Sequence, residues 1–257
     1  MTRTVPAQVR GTTAVVPLRD GVSGKSRLAA VLDAGARRRL VRVLARHVVT
    51  TLLAADGIER VVVVTADPVF TRETLARLDV EVLEQPADRP GLNAALEHAR
   101  SVLSAAGPAD PASPAAPQRL LIAHADLPAL TPADVNAILA EDAPVVIATD
   151  RNRSGTNLLL LPSAALPFES EVSPLSGPAK RRNFGFEGEA PADRATFGFR
   201  FGVGSLAAHL DEADRLGLGA TVVQRPGTAV DLDTADDWSQ LPDEVRAAVG
   251  AQVPGLL

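Results

Sequence analysis

Short apolar runs of strand length alternate in this sequence with segments whose apolar residues recur at helical spacing. TAVVPL, IERVVVVT and RLLIA are typical of buried strands, whereas residues 37–54 place apolar side chains three and four positions apart. Strands that alternate with helices form right-handed crossovers over a largely parallel sheet. APVVIATD and GTNLLLLP follow one another without a helix between them, which leaves room for an antiparallel strand. The sequence therefore predicts an α/β, Rossmann-like fold with a mixed, mostly parallel central sheet.

The length of 257 residues is sufficient for one domain with a sizeable core, and we expect residues 1–257 to form a single domain. Two segments interrupt the alternation. Residues 108–118 are rich in Pro and Ala and predict a surface loop. Residues 168–199 are polar, rich in Gly and Pro and aperiodic, so they predict a flexible insertion.

The composition excludes several classes of function. The net charge is −5, only 3% of the residues are aromatic and tyrosine is absent, so we expect no nucleic-acid partner. No apolar run approaches the length that crosses a bilayer, and the first residues lack a signal-peptide core. We therefore expect a cytoplasmic protein without a membrane partner. Cysteine is absent, which excludes a thiolate nucleophile and a Cys-based metal site.

The segment VVPLRDGVSGKSRL predicts a strand, a Gly-bearing turn and a helix start. Backbone N–H groups of such a turn suit a polyphosphate, and Lys25 and Arg27 could neutralise its charge. The segment is not a P-loop, because Arg19 stands where the leading glycine of that motif is required. The alternative is an ordinary turn with exposed basic residues.

Three carboxylates are candidate ligands of a divalent cation such as Mg²⁺. Asp126 comes just after a predicted buried strand and is followed by Pro128, where a carboxylate can bind Mg²⁺ at the sheet edge. Asp231 and Asp233 alternate with apolar residues, so on an extended strand both would face the same side. The alternatives are that Asp126 caps a turn and that the later acids belong to a helix N-terminus beginning at Thr234.

Two further segments could bind a small anion. Thr156 and Asn157 precede a strongly apolar run and offer a hydroxyl and an amide. Gly202, Gly204 and Ser205 precede a predicted helix and could form a nest of backbone N–H groups. Either segment could also be plain turn chemistry. Together with a metal site they would hold a nucleoside triphosphate on one side and a small phosphate or carboxylate on the other.

The turn Gly91-Leu92-Asn93 opens an Ala-rich helix. Its glycine would allow close approach of the backbone to a nucleotide, and Asn93 could contact the base or ribose. The alternative is that Gly91 simply precedes a helix. His124 is predicted to be a packed or hydrogen-bonding residue rather than a ligand.

Taken in order, these motifs resemble the phosphoenolpyruvate/2-phospho-L-lactate guanylyltransferase family of coenzyme F420 biosynthesis, which has a GT-A-like nucleotidyltransferase fold. The matching stretches are VVPLRDGVSGKSRL, VVVVTAD, GLNAALEHA, ADLPAL, ATDRNRSGTNLLLLP, FGVGS and VDLDTADDW. The resemblance implies transfer of GMP from GTP to a phosphorylated three-carbon acid with release of pyrophosphate, and in bacterial members the acid is phosphoenolpyruvate.

The resemblance also implies roles for particular residues. Thr156, Gly202 and Ser205 would bind the acid, and Lys25 with its loop would bind the triphosphate. Residues that would hold Mg²⁺ are Asp126 with Asp233, and Asp231 as a further candidate. The chain departs from the family pattern at Arg19, where a lysine is common, and in the length of the segment 168–199.

Two other functions stay open from the sequence. One is a GT-A-like nucleotidyltransferase that acts on a sugar phosphate or molybdopterin, in which GTN and FGVGS would lie far from the metal site. The other is a non-catalytic GTP-binding protein. The choice among phosphoenolpyruvate, 2-phospho-L-lactate and 3-phosphoglycerate, the basis of guanine selection and the oligomeric state are not encoded in any motif.

Overall fold

The computed structural model describes residues 11–19, 25–105, 119–162 and 196–256. In these parts of the chain the strands are β1 (Thr12–Leu18), β2 (Ile58–Thr65), β3 (Glu81–Glu84), β4 (Arg119–Ala123), β5 (Val145–Thr149), β6 (Thr156–Pro162) and β7 (Ala220–Val223). The α-helices are α1 (Ala34–Leu53), α2 (Pro68–Thr74), α3 (Leu92–Ala105), α4 (Pro132–Leu139), α5 (Ser205–Arg215), α6 (Ala235–Ser239) and α7 (Asp243–Gly250). Among these helices none is long and apolar enough to cross a membrane.

The strands form one sheet in the order β3-β2-β1-β4-β6-β5-β7. Strand β6 runs antiparallel to both of its neighbours, β4 and β5, and the other pairs are parallel. This arrangement confirms the mixed, mostly parallel sheet. Because β6 is reversed, its first residues lie beside the carboxyl ends of β4 and β5. The predicted Thr156–Asn157 motif is thereby brought to the sheet edge where ligands of parallel sheets bind.

The sheet is covered on both faces, because alternate strand residues point to opposite sides. In β1, Ala14 and Val16 belong to the core beneath α1 and α4, whereas Val15 belongs to the core beneath α3 and α5. A smaller apolar cluster joins α1 to the C-terminal helices through Trp238, among other residues. The site-bearing turns therefore emerge from a rigid α/β/α layer structure.

Several local predictions are confirmed and others need correction. The sequence predicts that Thr131 caps a helix with Pro132 at its first position, and Thr131 does cap α4 with a capping box. Thr234 caps α6 in the same way. The segment from Thr71 to Leu78 predicts a short helix, but helix α2 begins three residues earlier, at Pro68, because the side chain of Asp67 accepts a hydrogen bond from Phe70 N and caps it there. Helix α7 was not predicted.

The segment 230–233 is not a strand, contrary to the prediction. The alternation of acids with apolar residues is nevertheless reflected in burial, because Leu232 is fully buried between Asp231 and Asp233. Leu232 N donates to the carbonyl oxygen of Asp126 at 3.0 Å, so this segment is fixed to the turn after β4 rather than to a neighbouring strand.

The segment predicted as a flexible insertion, residues 168–199, lies outside the described residues up to residue 195, as does the predicted loop 108–118. Its last four residues are described, and the flexibility of the segment stays a prediction. They belong to an extended segment in which Phe197 and Phe199 are buried in the core beneath α3 and α5.

Candidate functional site

The ammonium group of Lys25 joins two carboxylates that are far apart in the sequence. Its Nζ lies 2.5 Å from Asp126 Oδ2 and 2.6 Å from Asp233 Oδ1. Because both oxygens contact one nitrogen, they are separated by at most about twice that distance. The structure thus brings together three of the residues that the sequence singles out, one from the turn after β1, one from the turn after β4 and one from the segment before α6.

Local backbone structure directs each of these side chains. Lys25 has a left-handed conformation with φ of 56° and immediately precedes the short 3-10 helix Ser26–Ala30. Asp126 follows the end of β4 by three residues, and its carbonyl oxygen accepts the hydrogen bond from Leu232 N. Asp233 immediately precedes Thr234, the residue that caps α6. A positive φ at a non-glycine residue is uncommon and is often found at functional sites.

Lys25 and Asp126 each stabilise the charged form of the other. Burial opposes the charged form of Lys25, but the charges and hydrogen bonds of Asp126 and Asp233 outweigh it and raise its pKa. Burial likewise opposes ionisation of Asp126, yet the charge of Lys25 holds the pKa of that carboxyl below its ordinary value. Lys25 and Asp126 are therefore both charged near neutral pH.

Asp231 lies beside this cluster without contacting Lys25. Burial, and then the charges of Asp126 and Asp233, raise the pKa of Asp231. The prediction that Asp231 and Asp233 share a side is consistent with this mutual repulsion. Of the two, Asp233 is the one that meets the lysine.

The carboxylates fit a divalent cation that is shared with a ligand. Asp126 Oδ1 is buried and has no hydrogen-bond partner among the described residues. No group of three or more His, Cys, Asp or Glu side chains in the described ranges is arranged to hold a metal by itself. Mg²⁺ is commonly held by one or two carboxylates, with waters and substrate phosphates completing its shell. Asp126 and Asp233 are two such carboxylates, and their role as ligands of Mg²⁺ stays a prediction.

A second cluster lies at the start of β6 and the start of α5. Thr156 N donates to Ser205 Oγ at 2.9 Å, and Thr156 Oγ1 is 2.9 Å from His209 Nδ1. All three residues are buried, and they carry no net charge near pH 7, because burial and the nearby His124 lower the pKa of His209 to about 4. We call Thr156, Ser205 and His209 the hydroxyl cluster.

The turn before α5 has the backbone conformation that its glycines permit. Gly202 has φ of 144° and Gly204 has φ of 71°, and a Cβ at either position would meet no atom within 4 Å. The glycines are therefore required by backbone conformation rather than by lack of space. Ser205 N donates to Gly202 O, which closes the turn at the N-terminus of α5.

The extended segment 196–201, which leads into this turn, is held by side chains of two helices. Its backbone N–H groups donate alternately to α5 and α3. In chain order these bonds are Gly198 N to Glu212 Oε1 (2.7 Å), Phe199 N to Glu97 Oε1 (3.3 Å), Arg200 N to His209 Nε2 (3.0 Å) and Phe201 N to Asn93 Oδ1 (2.9 Å). The turn is thereby anchored on both sides, although no strand in the described parts of the chain pairs with this segment.

The nucleotide-binding predictions are less fully supported by contacts. Asn93 also donates from Nδ2 to Phe201 O at 3.0 Å, so its amide is engaged with the backbone beside the hydroxyl cluster. Gly91 is exposed with φ of 99°, and Arg27 is exposed on the 3-10 helix after Lys25. Residues 20–24 of the predicted phosphate loop lie outside the described residues. Nucleotide binding by Gly91, Asn93 and Arg27 stays a prediction.

The two clusters adjoin one another through His124. His124 N donates to Asn157 O at 3.1 Å, which places the first residues of β6 beside the turn that carries Asp126. The ring of His124 packs on Phe201 with centroids 5.2 Å apart, as expected for a packed residue. Its Nε2 is buried without a partner in the described parts of the chain. Asn157 is itself structural, since its Nδ2 donates to Thr228 O.

His209 was not found by sequence reasoning. The available signal was its position four residues after Ser205, which puts both side chains on one face of a helix. A lone histidine on a helix is usually a packing residue, so the spacing alone could not distinguish the two roles. Glu212, which also supports the segment 196–201, lies in no motif, and Glu97 lies within GLNAALEHA without having been singled out.

Comparison with known proteins identifies the family to which the sequence is similar. A protein-family model described as guanylyl transferase CofC like matches residues 12–173. A phosphoenolpyruvate guanylyltransferase of Rubrobacter xylanophilus is 38% identical over 232 residues, which are 89% of this chain and 92% of that protein. One of Conexibacter woesei is 31% identical over 257 residues, with 96% and 95% covered.

Solved structures with much lower identity share the fold. A nucleotide-diphospho-sugar transferase from Desulfovibrio desulfuricans has a TM-score of 0.63 at 13% identity and covers 96% of this chain and 93% of its own. A nucleotidyl transferase from Methanothermobacter has a TM-score of 0.54 at 18% identity, with 93% and 99% covered. These similarities confirm the predicted nucleotidyltransferase-like fold and carry no further conclusion.

Proposed function

Because the chain belongs to the family of CofC-like guanylyltransferases, we propose that it transfers GMP from GTP to phosphoenolpyruvate. The products are pyrophosphate and enolpyruvyl-2-diphospho-5′-guanosine, a reaction of coenzyme F420 biosynthesis. The relatives at 31–38% identity bear the name phosphoenolpyruvate guanylyltransferase, which favours this acid over 2-phospho-L-lactate. The observation that carries the proposal is the meeting of Lys25, Asp126 and Asp233 at one point beside the hydroxyl cluster.

Asp126 and Asp233 are the proposed ligands of Mg²⁺, with Asp231 beside them as a further candidate. The fit is supported by the unpartnered Oδ1 of Asp126 and by the repulsion that two close carboxylates need a cation to offset. Bound Mg²⁺ would supply charge neutralisation for the phosphate groups. In the free enzyme the Lys25 ammonium provides that positive charge.

Lys25 is proposed to exchange its partners when nucleotide binds. Its side chain is 7% exposed, its ammonium is compact, and its flexible stem can turn from the carboxylates toward a triphosphate. Arg27, exposed two residues further on, would add charge to the same phosphates. Gly91 and Asn93 are proposed to lie near the nucleoside. The side chain of Asn93 is bonded to the backbone of Phe201, so its proposed contribution is to orient that backbone.

Thr156, Gly202 and Ser205 are proposed to bind the acid. The two side chains offer hydroxyl donors and the glycine turn offers backbone N–H groups, all at the N-terminus of α5 where an anion is favoured. The cluster adjoins the turn of Asp126 through His124 and β6. That proximity argues against a nucleotidyltransferase in which these motifs lie far from the carboxylates.

The chemistry requires no general base, because the phosphate oxygen of the acid is already an anionic nucleophile. That oxygen attacks the α-phosphorus of GTP, a new P–O bond forms, and the bond to the β-phosphate breaks to release pyrophosphate. The main obstacle is the repulsion between two polyanions. The chain's contribution is therefore to hold both substrates in line and to offset their charge.

A pyrophosphate-release assay tests the proposal. The purified chain is incubated with GTP, Mg²⁺ and one acid at a time: phosphoenolpyruvate, 2-phospho-L-lactate or 3-phosphoglycerate. The product is identified by mass spectrometry. We expect release with phosphoenolpyruvate, little with ATP in place of GTP, and none after chelation of the metal. Absence of release with every acid, while GTP still binds, would favour the non-catalytic alternative.

A further inference from the structure

The hydrogen bonds of the hydroxyl cluster determine which atoms carry protons. His209 Nε2 is 3.0 Å from Arg200 N, and a backbone N–H can only donate. Nε2 must therefore be unprotonated and accept. The ring is neutral at pH 7, because burial and then the nearby His124 lower the pKa of His209 to about 4. A neutral imidazole has one N–H, so the proton is on Nδ1.

This tautomer defines the direction of the next hydrogen bond. Since Nδ1 carries the proton, His209 donates to Thr156 Oγ1, and the threonine oxygen accepts. The hydroxyl proton of Thr156 is then free to donate in another direction, and Oγ1 has no second partner in the described parts of the chain. Ser205 is in the same position, because its Oγ accepts from Thr156 N and its proton is also uncommitted.

We infer that His209 is a positioning residue for the acid substrate: it fixes the Thr156 hydroxyl as a donor that, together with Ser205, recognises an anionic oxygen. The inference rests on the proposed function, because it assumes that Thr156 and Ser205 bind the acid. Two buried hydroxyl donors side by side have no acceptor of their own in the described protein, and a carboxylate or phosphate oxygen supplies one. Because each hydroxyl oxygen already accepts one hydrogen bond and keeps its own proton uncommitted, the pair favours a ligand oxygen that accepts.

The same imidazole also anchors the turn that completes the cluster. By accepting from Arg200 N it fixes the segment 196–201 two residues before Gly202. Phe201 packs edge-on against the ring with centroids 4.7 Å apart, and Phe197 lies 5.9 Å from it on the same segment. His209 thus joins β6 to the glycine turn through its two nitrogens.

Two amide substitutions separate these contacts. In His209→Asn the Nδ2 group occupies the place of Nδ1 and can still donate to Thr156, but nothing reaches Arg200 N. In His209→Gln the longer side chain can present its oxygen to Arg200 N, but the donor to Thr156 is lost. His209→Phe keeps the ring volume and loses both bonds. His98, which lies on α3 outside the hydroxyl cluster, gives a matched control in His98→Asn.

We expect the KM for the acid to rise about tenfold in His209→Gln and His209→Phe, consistent with loss of one oriented hydrogen bond to an anion. It should rise about threefold or less in His209→Asn, and the KM for GTP should stay within about twofold of the wild-type value in all variants that fold. A larger loss of acid affinity in the asparagine than in the glutamine variant would overturn the inference, since it would assign the effect to the Arg200 anchor.

A measurement without substrates separates this inference from the proposed function. The chain has four histidines, so long-range ¹H–¹⁵N correlation spectra of the ¹⁵N-labelled protein can be assigned with the His209→Asn variant. We expect a neutral ring protonated on Nδ1 at pH 7. A ring protonated on Nε2, or on both nitrogens, would overturn the inference whichever acid the enzyme uses. A ring protonated on Nδ1, with no turnover of any acid, would contradict the proposed function alone.

Discussion

The two halves of the candidate site are built on opposite physical principles. At Lys25, Asp126 and Asp233 the contacts are between full charges, and Asp233 retains 39% side-chain exposure. In the hydroxyl cluster the contacts are between neutral groups, and His209 is completely buried. Both halves lie at the same edge of the sheet, beside the reversed strand β6.

This difference indicates which half changes when ligands arrive. In the charged half, the lysine and the carboxylates satisfy one another, and the proposed function gives them new partners, the triphosphate for the lysine and Mg²⁺ for the carboxylates. In the hydroxyl cluster, each hydroxyl oxygen already accepts one hydrogen bond within the protein, and the two hydroxyl protons remain to be donated. We therefore expect the charged half to rearrange on binding and the hydroxyl cluster to be preorganised.

The largest expected effect is that of Asp126→Asn. The substitution keeps the shape of the side chain but removes the charge that faces Lys25 and the proposed cation. We expect pyrophosphate release to fall by at least about two orders of magnitude, or roughly 3 kcal/mol in the activation barrier. The measurement is kcat/KM in the GTP and phosphoenolpyruvate assay at saturating Mg²⁺.

The matched control for this substitution is Asp142→Asn, because Asp142 is an exposed carboxylate between α4 and β5. It should leave activity unchanged. Thermal unfolding of both variants shows whether the loss arises from misfolding. If Asp126→Asn retained Mg²⁺-dependent turnover, this carboxylate would not belong to the catalytic site. The charge on Asp126 would then not be needed for activity, and the proposed contrast with the neutral hydroxyl cluster would fail.

A smaller and more selective effect is expected for Ser205→Ala. The substitution removes the acceptor of Thr156 N and one of the two hydroxyl donors. A hydrogen bond to a charged group contributes about 1.5–3 kcal/mol, so we expect the KM for phosphoenolpyruvate to rise about 10- to 100-fold. The KM for GTP should change little, because this half is proposed to bind only the acid.

Ser101→Ala, at an exposed position on α3, is the control for this experiment. Steady-state kinetics with each substrate varied in turn provide the measurement. If Ser205→Ala raised the KM for GTP as much as that for the acid, the two halves would not be separate subsites, and the comparison between them would fail.

Sequence reasoning succeeded where burial periodicity carries the information. The buried runs of β1 and β2 and the unbroken pair of β5 and β6 were sufficient to predict a mixed sheet. The same periodicity misled at 230–233, because alternation reports which side chains are buried and not whether a neighbouring strand is present. There Leu232 is buried, but its N–H bonds to the turn at Asp126.

The candidate residues could be predicted singly, and their contacts could not. Lys25 and Asp233 are separated by 208 positions, and no local pattern encodes that one nitrogen meets both Asp126 and Asp233. His209 and Glu212 were missed for a related reason. Their roles depend on which backbone atoms of residues 196–201 lie opposite them, and this follows only from the folded chain.

The smallest effect on catalysis, and a clear one on stability, is expected for Glu212→Gln. This buried carboxylate accepts from Gly198 N at 2.7 Å and from Arg215 Nε at 3.0 Å. It therefore holds the segment 196–201, which leads to the hydroxyl cluster. Glutamine keeps an acceptor for Gly198 and loses the charge. We expect the KM for the acid to change by less than about threefold, and the free energy of unfolding at pH 7 to fall by about 1–3 kcal/mol.

The pH dependence of the free energy of unfolding tests whether the charge of Glu212 is responsible for this stabilisation. Hydrogen bonds from Arg215, and then the one from Gly198 N, lower the pKa of Glu212 to about 2 against the opposing effect of burial. The folded protein therefore binds the proton more weakly than the unfolded chain, whose carboxyl has the ordinary value of about 4.5. The charge of Glu212 therefore stabilises the folded state fully above about pH 4.5, and this stabilisation is lost as the pH falls toward 2.

Urea unfolding at several pH values between 7 and 3.5 should show a constant difference between wild type and Glu212→Gln down to about pH 4.5, and a narrowing difference below it. Glu73→Gln is the matched control, because Glu73 pairs with Arg42 at the surface with 57% side-chain exposure and should contribute at most about 1 kcal/mol. A difference that did not narrow in acid would mean that Glu212 stabilises the segment by packing. The hydroxyl cluster would then be held on this side by shape rather than by charge, which would make its contrast with the Lys25 cluster complete.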